Sequence, residues 1–174
     1  MNLRIQLFLL MFCLVMAGCA GTGRGGASFR NEPESFRGIK WGQNIAEIKN
    51  MRLVSRDGKG LSIYSRNDDL LSLGEAKLKR VRYVFWQKKF LEAQMSAAPD
   101  QLQALKNALY EQYGEGHSPY GSNSKVHDYS WAGPVANVHL FRPNFMADCE
   151  VKITSREINN QMIHALKIKA KTPP

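Results

Sequence analysis

Cysteine and histidine are the residue types in this chain that could form a nucleophilic pair. Cys149 is the last of three cysteines, and His139 precedes it on a neighbouring predicted strand. A thiol and an imidazole in contact would be the chemistry of a hydrolase. The tight hairpin expected over residues 143–147 sets Cys149 opposite about Phe141, which makes His139 a diagonal neighbour at best. We therefore interpret Cys149 as a buried structural residue and assign no catalytic residue.

The carboxylates and histidines do not have the spacing of a known site. Asp68, Asp69 and Asp128 could supply an acid–base pair, but the turn-rich segment around Asp68 and Asp69 predicts solvated loop residues instead. The four histidines lack the spacing of zinc ligands, and no phosphate-binding loop or dinucleotide fingerprint occurs. These histidines are His117, His127, His139 and His164. The sequence therefore predicts no metal, no cofactor and no enzymatic activity.

Cys19 carries a different chemistry, because it ends an N-terminal segment with the three parts of a secretory signal. Arg4 is followed by a short apolar run over residues 5–16, and the small residues Ala17 and Gly18 come directly before Cys19. The run is too short to span a membrane, which takes about 20 apolar residues. The segment looks like a lipobox in which Met replaces the usual Leu. This pattern predicts cleavage between Gly18 and Cys19, with diacylglycerol and N-acyl (palmitate-type) lipid attached to Cys19.

Such a lipid would anchor the protein to a cell membrane without spanning it, because each buried CH2 contributes about 0.8 kcal/mol. The residue after Cys19 is Ala20 rather than Asp, which in Gram-negative lipoproteins implies the outer membrane, facing the periplasm. The net charge is +9, and loss of Arg4 with the signal would leave +8. We therefore expect anionic lipid or glycan as partners, and no nucleic acid, since an exported protein has little reason to meet it.

The composition divides the chain into four parts. Residues 1–18 are the predicted signal peptide, 19–35 a lipidated flexible tether rich in Gly and Ser, 36–170 a periplasmic domain and 171–174 a disordered tail. Alternation of apolar and polar residues predicts strands over residues 51–55, 61–65, 78–87, 90–97, 126–132, 135–142 and 149–155.

Three helices complete the predicted domain. Asn44 caps a short one, Pro99 begins a second that ends at Gly114, and Ser155 caps the last. Runs of antiparallel strands between helices predict an α+β fold. We expect a single domain with a curved, mainly antiparallel sheet and two or three helices on one face.

The segment from Phe36 to Gly42 and the strands that follow it to Phe90 resemble a family of small bacterial lipoproteins, over most of residues 36–155. More distantly, the helix followed by antiparallel strands is similar to the small lipoprotein subunit of the outer-membrane β-barrel assembly machinery and to β-lactamase-inhibitor-protein folds. Those proteins are binding and scaffold modules, so the resemblance implies the same role here.

The longest internal loop is the expected contact region. Tyr113, His117, Tyr120 and Tyr129 lie in or near residues 114–125, and loops on rigid scaffolds commonly carry function. The leading hypothesis is a non-enzymatic envelope lipoprotein that binds or scaffolds an envelope protein partner. Two alternatives remain open. A lipid- or glycan-handling protein would have an apolar cavity ringed by Lys and Arg, and a peptidoglycan-active enzyme would have titratable groups clustered in a cleft.

Overall fold

Antiparallel strands dominate the computed structural model, which describes residues 29–120 and 124–171. The strand Cys149–Ser155 alternates strictly between buried and more exposed residues, and the strand Ala136–Arg142 does so over its first five residues, as a sheet with one face on a core requires. In chain order the strands are β1 (Ser35–Phe36), β2 (Ile39–Lys40), β3 (Met51–Arg56), β4 (Leu61–Arg66), β5 (Ser72–Leu73), β6 (Ala76–Lys77), β7 (Arg80–Trp86), β8 (Lys89–Ala97), β9 (His127–Ala132), β10 (Ala136–Arg142) and β11 (Cys149–Ser155).

Seven of these strands form one sheet in the order β3-β4-β7-β8-β11-β10-β9. The first four strands and the last three are each a meander of sequential hairpins. The two meanders meet where β8 pairs with β11, and every neighbouring pair is antiparallel. The pairs β1–β2 and β5–β6 form two small ladders beside the sheet. The predicted strands, and the α+β class with its curved antiparallel sheet, are confirmed.

Two α-helices follow the two meanders. Helix α1 (Leu102–Tyr113) continues from a 3-10 turn that begins at Pro99, and α2 (Arg156–Lys171) follows β11 directly. Gly114 ends α1 at a φ of +86°, a left-handed conformation that glycine adopts without strain. Ser155 Oγ accepts from the N–H of Ile158 at 3.4 Å, as expected of an N-cap. The predicted helix at Asn44 is shorter, a 3-10 turn over Ile45–Glu47 whose Ala46 N–H bonds to Asn44 Oδ1.

Helix α1 covers one face of the sheet. Leu105 and Leu109 of the helix belong to the same hydrophobic cluster as Tyr83 and Phe90 of the sheet, and all four side chains are fully buried. Trp131 lies in the same core and donates its indole N–H to Gly114 O at 2.9 Å. Burying each such side chain contributes about 1.5–3 kcal/mol. This core fixes the sheet, and with it the positions of all side chains on the opposite face.

Helix α2 packs against a different cluster. Ile158 contacts Val84, Trp86 and Leu91, which alternate along their strands with the residues under α1. Because successive side chains of a strand point to opposite faces, this cluster lies on the other side of the sheet. The prediction of helices on one face therefore describes α1, while α2 covers one end of the second face.

The folded part begins earlier than the predicted boundary at residue 36. Phe29 packs edge-on against Tyr113, and Arg30 N donates to Tyr113 O at 2.8 Å. Glu32 Oε1 accepts from the N–H groups of Val135 and Ala136 at 2.7 and 2.8 Å. Residues 29–35 are therefore docked on the domain rather than part of a tether. The sequence prediction missed this because composition cannot show that a glutamate finds two backbone donors far along the chain.

The neighbouring carboxylates Asp68 and Asp69 have different environments. Asp69 pairs with Arg37 and accepts from Tyr83 Oη at 2.8 Å, and its side chain is 7% exposed. Asp68 is half-exposed and binds Arg66 at 3.1 Å. The prediction of solvated loop residues holds for Asp68 but is wrong for Asp69. The Asp69 side chain links Arg37, which follows β1, to Tyr83 on β7.

The predicted signal peptide, Cys19, the part of the tether before residue 29 and the tail from residue 172 lie outside the described residues. Among the helices that the structure describes, none has both the length and the apolar character needed to cross a membrane.

Candidate interaction face

The sheet face opposite α1 carries polar residues in register across five strands. Two adjacent rows of cross-strand partners run over β7, β8, β11, β10 and β9. The first row is Arg80, Ser96, Glu150, Phe141 and Asp128, and the second is Arg82, Gln94, Lys152, His139 and Ser130. We call these ten residues the open face. All except Ser96 are half-buried or exposed, so the face is accessible to a ligand or partner.

A groove crosses the open face between β7 and β11. Its volume is about 200 Å³, and Ser96 and Gln94 form its floor on β8. Arg80 lies on one side, and Glu150 and Lys152 lie on the other. Ser96 is 3% exposed, and its hydroxyl has no hydrogen-bond partner within the part of the chain that the structure describes.

Four charged side chains of the open face make no hydrogen bond or ion pair among residues 29–120 and 124–171. They are Arg80, Arg82, Glu150 and Lys152. Another acidic group nearby is already engaged: Glu92 accepts from Gln94 Nε2 at 2.7 Å and from Thr154 Oγ1 at 2.6 Å. The three cations of this part of the face therefore make no direct ion pair with the described residues.

Histidine and aspartate meet at the β9–β10 side of the face. His139 Nε2 lies 2.8 Å from Asp128 Oδ1, and the imidazole stacks on Phe141 with ring centroids 5.7 Å apart. A carboxylate in this position orients the imidazole ring. Ser130 lies directly opposite His139, but its hydroxyl makes no hydrogen bond to the ring in the described structure. This side of the face therefore has a half-buried aromatic ring framed by polar groups.

The pair of Cys149 and His139 does not form. Cys149 pairs with Ala97 and is fully buried on the α1 side, whereas His139 pairs with Lys152 on the open face. Burial raises the pKa of the Cys149 thiol, which disfavours the reactive thiolate. The interpretation of Cys149 as a structural residue agrees with this placement.

The predicted contact residues near the long loop separate into two groups. Tyr113 is 2% exposed beneath Phe29 and Trp131, so its assignment to a partner face is wrong. It belongs to the apolar stripe of α1, and burial raises its pKa to about 12. The other three residues reach the surface: His117 and Tyr120 are exposed, and Tyr129 is half-buried.

Tyr129 is held by α1 rather than free for a partner. Its ring meets Tyr110 edge-on with centroids 6.2 Å apart, and Lys106 Nζ lies 4.9 Å from its centroid. His117 exchanges two backbone hydrogen bonds with Ser130, each 2.9 Å long. This fastens the start of the loop to the edge strand β9 and leaves the side chain of His117 at the surface.

Sequence reasoning missed the open face as a unit. The alternation of Arg80 with Arg82, and of Glu150 with Lys152, was a usable signal that these pairs share a strand face. What joins the two pairs is the contact between β8 and β11, which are far apart in the chain. Within the described residues, no group of three or more His, Cys, Asp or Glu side chains is placed to hold a metal ion.

Comparison with known proteins adds no assignment: no family model, curated protein or solved structure matches this chain.

Proposed function

We propose that this protein is a lipid-anchored envelope protein whose domain binds an envelope protein partner through the open face, as a scaffold rather than an enzyme. The observation that carries this proposal is the position of Phe141. A half-buried aromatic ring lies in a polar row, between Glu150 and Asp128, on a sheet whose other face carries the main hydrophobic core. Aromatic residues flanked by polar groups on a rigid surface are typical of the energetic centre of protein interfaces.

The lipid anchor is supported by the segment that ends at Cys19. Since residues 29–35 dock on the domain, only about ten residues separate Cys19 from the folded part, and they span at most about 35 Å when fully extended. The anchor would hold the open face within this distance of the membrane and raise its effective concentration toward partners in the same membrane. The outer membrane, facing the periplasm, is the location that Ala20 favours.

Replacing Cys19 tests the anchor. In cells fed a radiolabelled fatty acid, wild-type protein should incorporate label and fractionate with membranes. The Cys19→Ala variant should incorporate none, because the acceptor thiol is gone. Cys13→Ala is the matched control, since it removes a cysteine of the same N-terminal segment that the proposal leaves unmodified. Equal labelling of wild type and Cys19→Ala would contradict the anchor.

Replacing Phe141 tests the partner surface. In-cell crosslinking of the native protein should yield one stoichiometric envelope protein, and Phe141→Glu should abolish that product because the ring is lost and a charge is buried in the contact. Leu70→Glu is the matched control: Leu70 is 72% exposed, in the loop that contacts Tyr83 from the α1 side. A crosslinking pattern that is unchanged by Phe141→Glu would contradict the proposal.

A further inference from the structure

The groove of the open face has the composition of an anion site, and we propose that it binds a phosphate monoester group. This inference does not rest on the proposed protein partner, because it concerns the β7–β8–β11 side of the face rather than the surroundings of Phe141. Its starting observation is that Arg80 and Lys152 line the same groove from opposite sides and have no ion partner among the described residues.

The geometry allows these cations to converge on one ligand. Arg80 and Arg82 belong to β7 and Lys152 to β11, with β8 between them. Strands β7 and β11 are therefore two strand spacings apart, about 10 Å in all. Arginine and lysine side chains are long enough to reach a group placed over the middle strand, and arginine binds phosphate oxygens through two parallel N–H bonds.

The charge of the groove favours an anion. Of the residues that line it, Arg80 and Lys152 bring two positive charges and Glu150 brings one negative charge. Beside the groove, Arg82 and Glu92 carry opposite charges. A phosphate monoester presents three strong acceptor oxygens, so it can accept from both cations and from the floor of the groove at once.

The floor of the groove supplies the second, independent observation. Ser96 is 3% exposed and lines the groove, and its hydroxyl has no partner in the described structure. A buried hydroxyl without a hydrogen bond is costly, typically by about 1–3 kcal/mol. A phosphate oxygen over β8 would accept from this hydroxyl and remove the cost.

Titration calorimetry on the full chain in a non-ionic detergent tests the site. The probes are inorganic phosphate and glycerol 3-phosphate, in a chloride buffer of low ionic strength. We expect one saturable site for glycerol 3-phosphate, with inorganic phosphate as competitor. Arg80→Gln should weaken binding about tenfold, the usual effect of losing a charge-assisted hydrogen bond, because Arg80 lines the groove. Ser96→Ala should weaken it several-fold while raising the thermal midpoint of the free protein, because the unpaired buried hydroxyl is removed.

The control is Arg52→Gln, which removes the same charge from an exposed position on the edge strand β3. It should leave the dissociation constant unchanged. Micelles containing phosphatidic acid or phosphatidylcholine distinguish the source: displacement of glycerol 3-phosphate by phosphatidic acid alone assigns a lipid headgroup, and no displacement assigns a soluble ester. Absence of saturable binding, equal weakening by Arg52→Gln, or no effect of Arg80→Gln and Ser96→Ala would overturn the proposal.

Discussion

Replacing Asp69 with Asn should destabilise the fold strongly, although the residue lies in a turn-rich surface segment. The carboxylate is 7% exposed, and it both pairs with Arg37 and accepts from Tyr83 Oη at 2.8 Å. Asn is nearly the same size and can still accept from Tyr83. The substitution therefore removes the negative charge beside Arg37 and little else.

The magnitude follows from what Arg37 retains. Breaking a buried ion pair by removing one partner costs about 3–5 kcal/mol. Here the Arg37 side chain is 20% exposed, and it still donates to Leu70 O and Ser72 O, each at 2.7 Å. Water and these two carbonyls offset part of the loss, so we expect a decrease of about 2–3 kcal/mol in the free energy of unfolding. For a domain of this size the thermal midpoint should fall by about 6–12 °C.

Urea unfolding of the full chain, followed by tryptophan fluorescence, measures the change. The slope of free energy against urea should stay constant, because the same surface is exposed on unfolding. Asp68→Asn is the control: it removes the same charge from the preceding residue, which is half-exposed, and should change the midpoint little. Equal effects of the two substitutions, or no effect of Asp69→Asn, would refute the view that the Arg37–Asp69–Tyr83 contact stabilises the fold.

Three further predictions concern residues outside the open face. Glu32→Ala should lower the free energy of unfolding by about 1–2 kcal/mol, measured in urea, because the N–H groups of Val135 and Ala136 lose their acceptor. Burial lowers the pKa of His127, so the unfolded chain binds a proton more readily than the folded one; stability should fall as pH drops below about 6.5, and His127→Asn should flatten that dependence. Peptide mapping after iodoacetamide treatment at neutral pH should find Cys149 alkylated only in unfolded protein, since its thiol is buried and its pKa raised.

Each of these predictions has an outcome that would contradict it. Glu34→Ala, at an exposed position, should leave the free energy of unfolding unchanged. A decrease equal to that of Glu32→Ala would show that the contacts of Glu32 do not stabilise the fold. A pH profile of stability in His127→Asn that is the same as in the wild type would contradict the second prediction. Rapid alkylation of Cys149 in the native protein would show that the thiol is accessible.

Local sequence signals were sufficient to predict most of the fold. Strand alternation, the capping residue Ser155 and the helix stop at Gly114 act over a few residues, and each appears where it was expected. Tyr113 shows how two signals can compete. Its position on the stripe with Leu105 and Leu109 determined its burial, and its nearness to the loop did not. Helical periodicity outweighs proximity because it fixes the direction of the side chain.

Contacts between distant parts of the chain could not be predicted. Asp69 is buried because Arg37 folds back onto it, and Glu32 is ordered because it meets a turn a hundred residues later. The open face depends on the pairing of β8 with β11, and the contact of His139 with Asp128 depends on the register of β9 against β10. Strand order and register are set by the packing of the whole sheet, which no local pattern encodes.

The most direct test of the proposed function is site-specific photo-crosslinking in living cells. A benzophenone analogue of phenylalanine replaces Phe141 on the open face, Tyr120 in the long loop or, as the control, Leu70 on the α1 side. Binding through the open face predicts that one discrete envelope protein is captured from position 141 and is absent from position 70. Capture from position 120 alone, or the same products from all three positions, would contradict a partner on the open face.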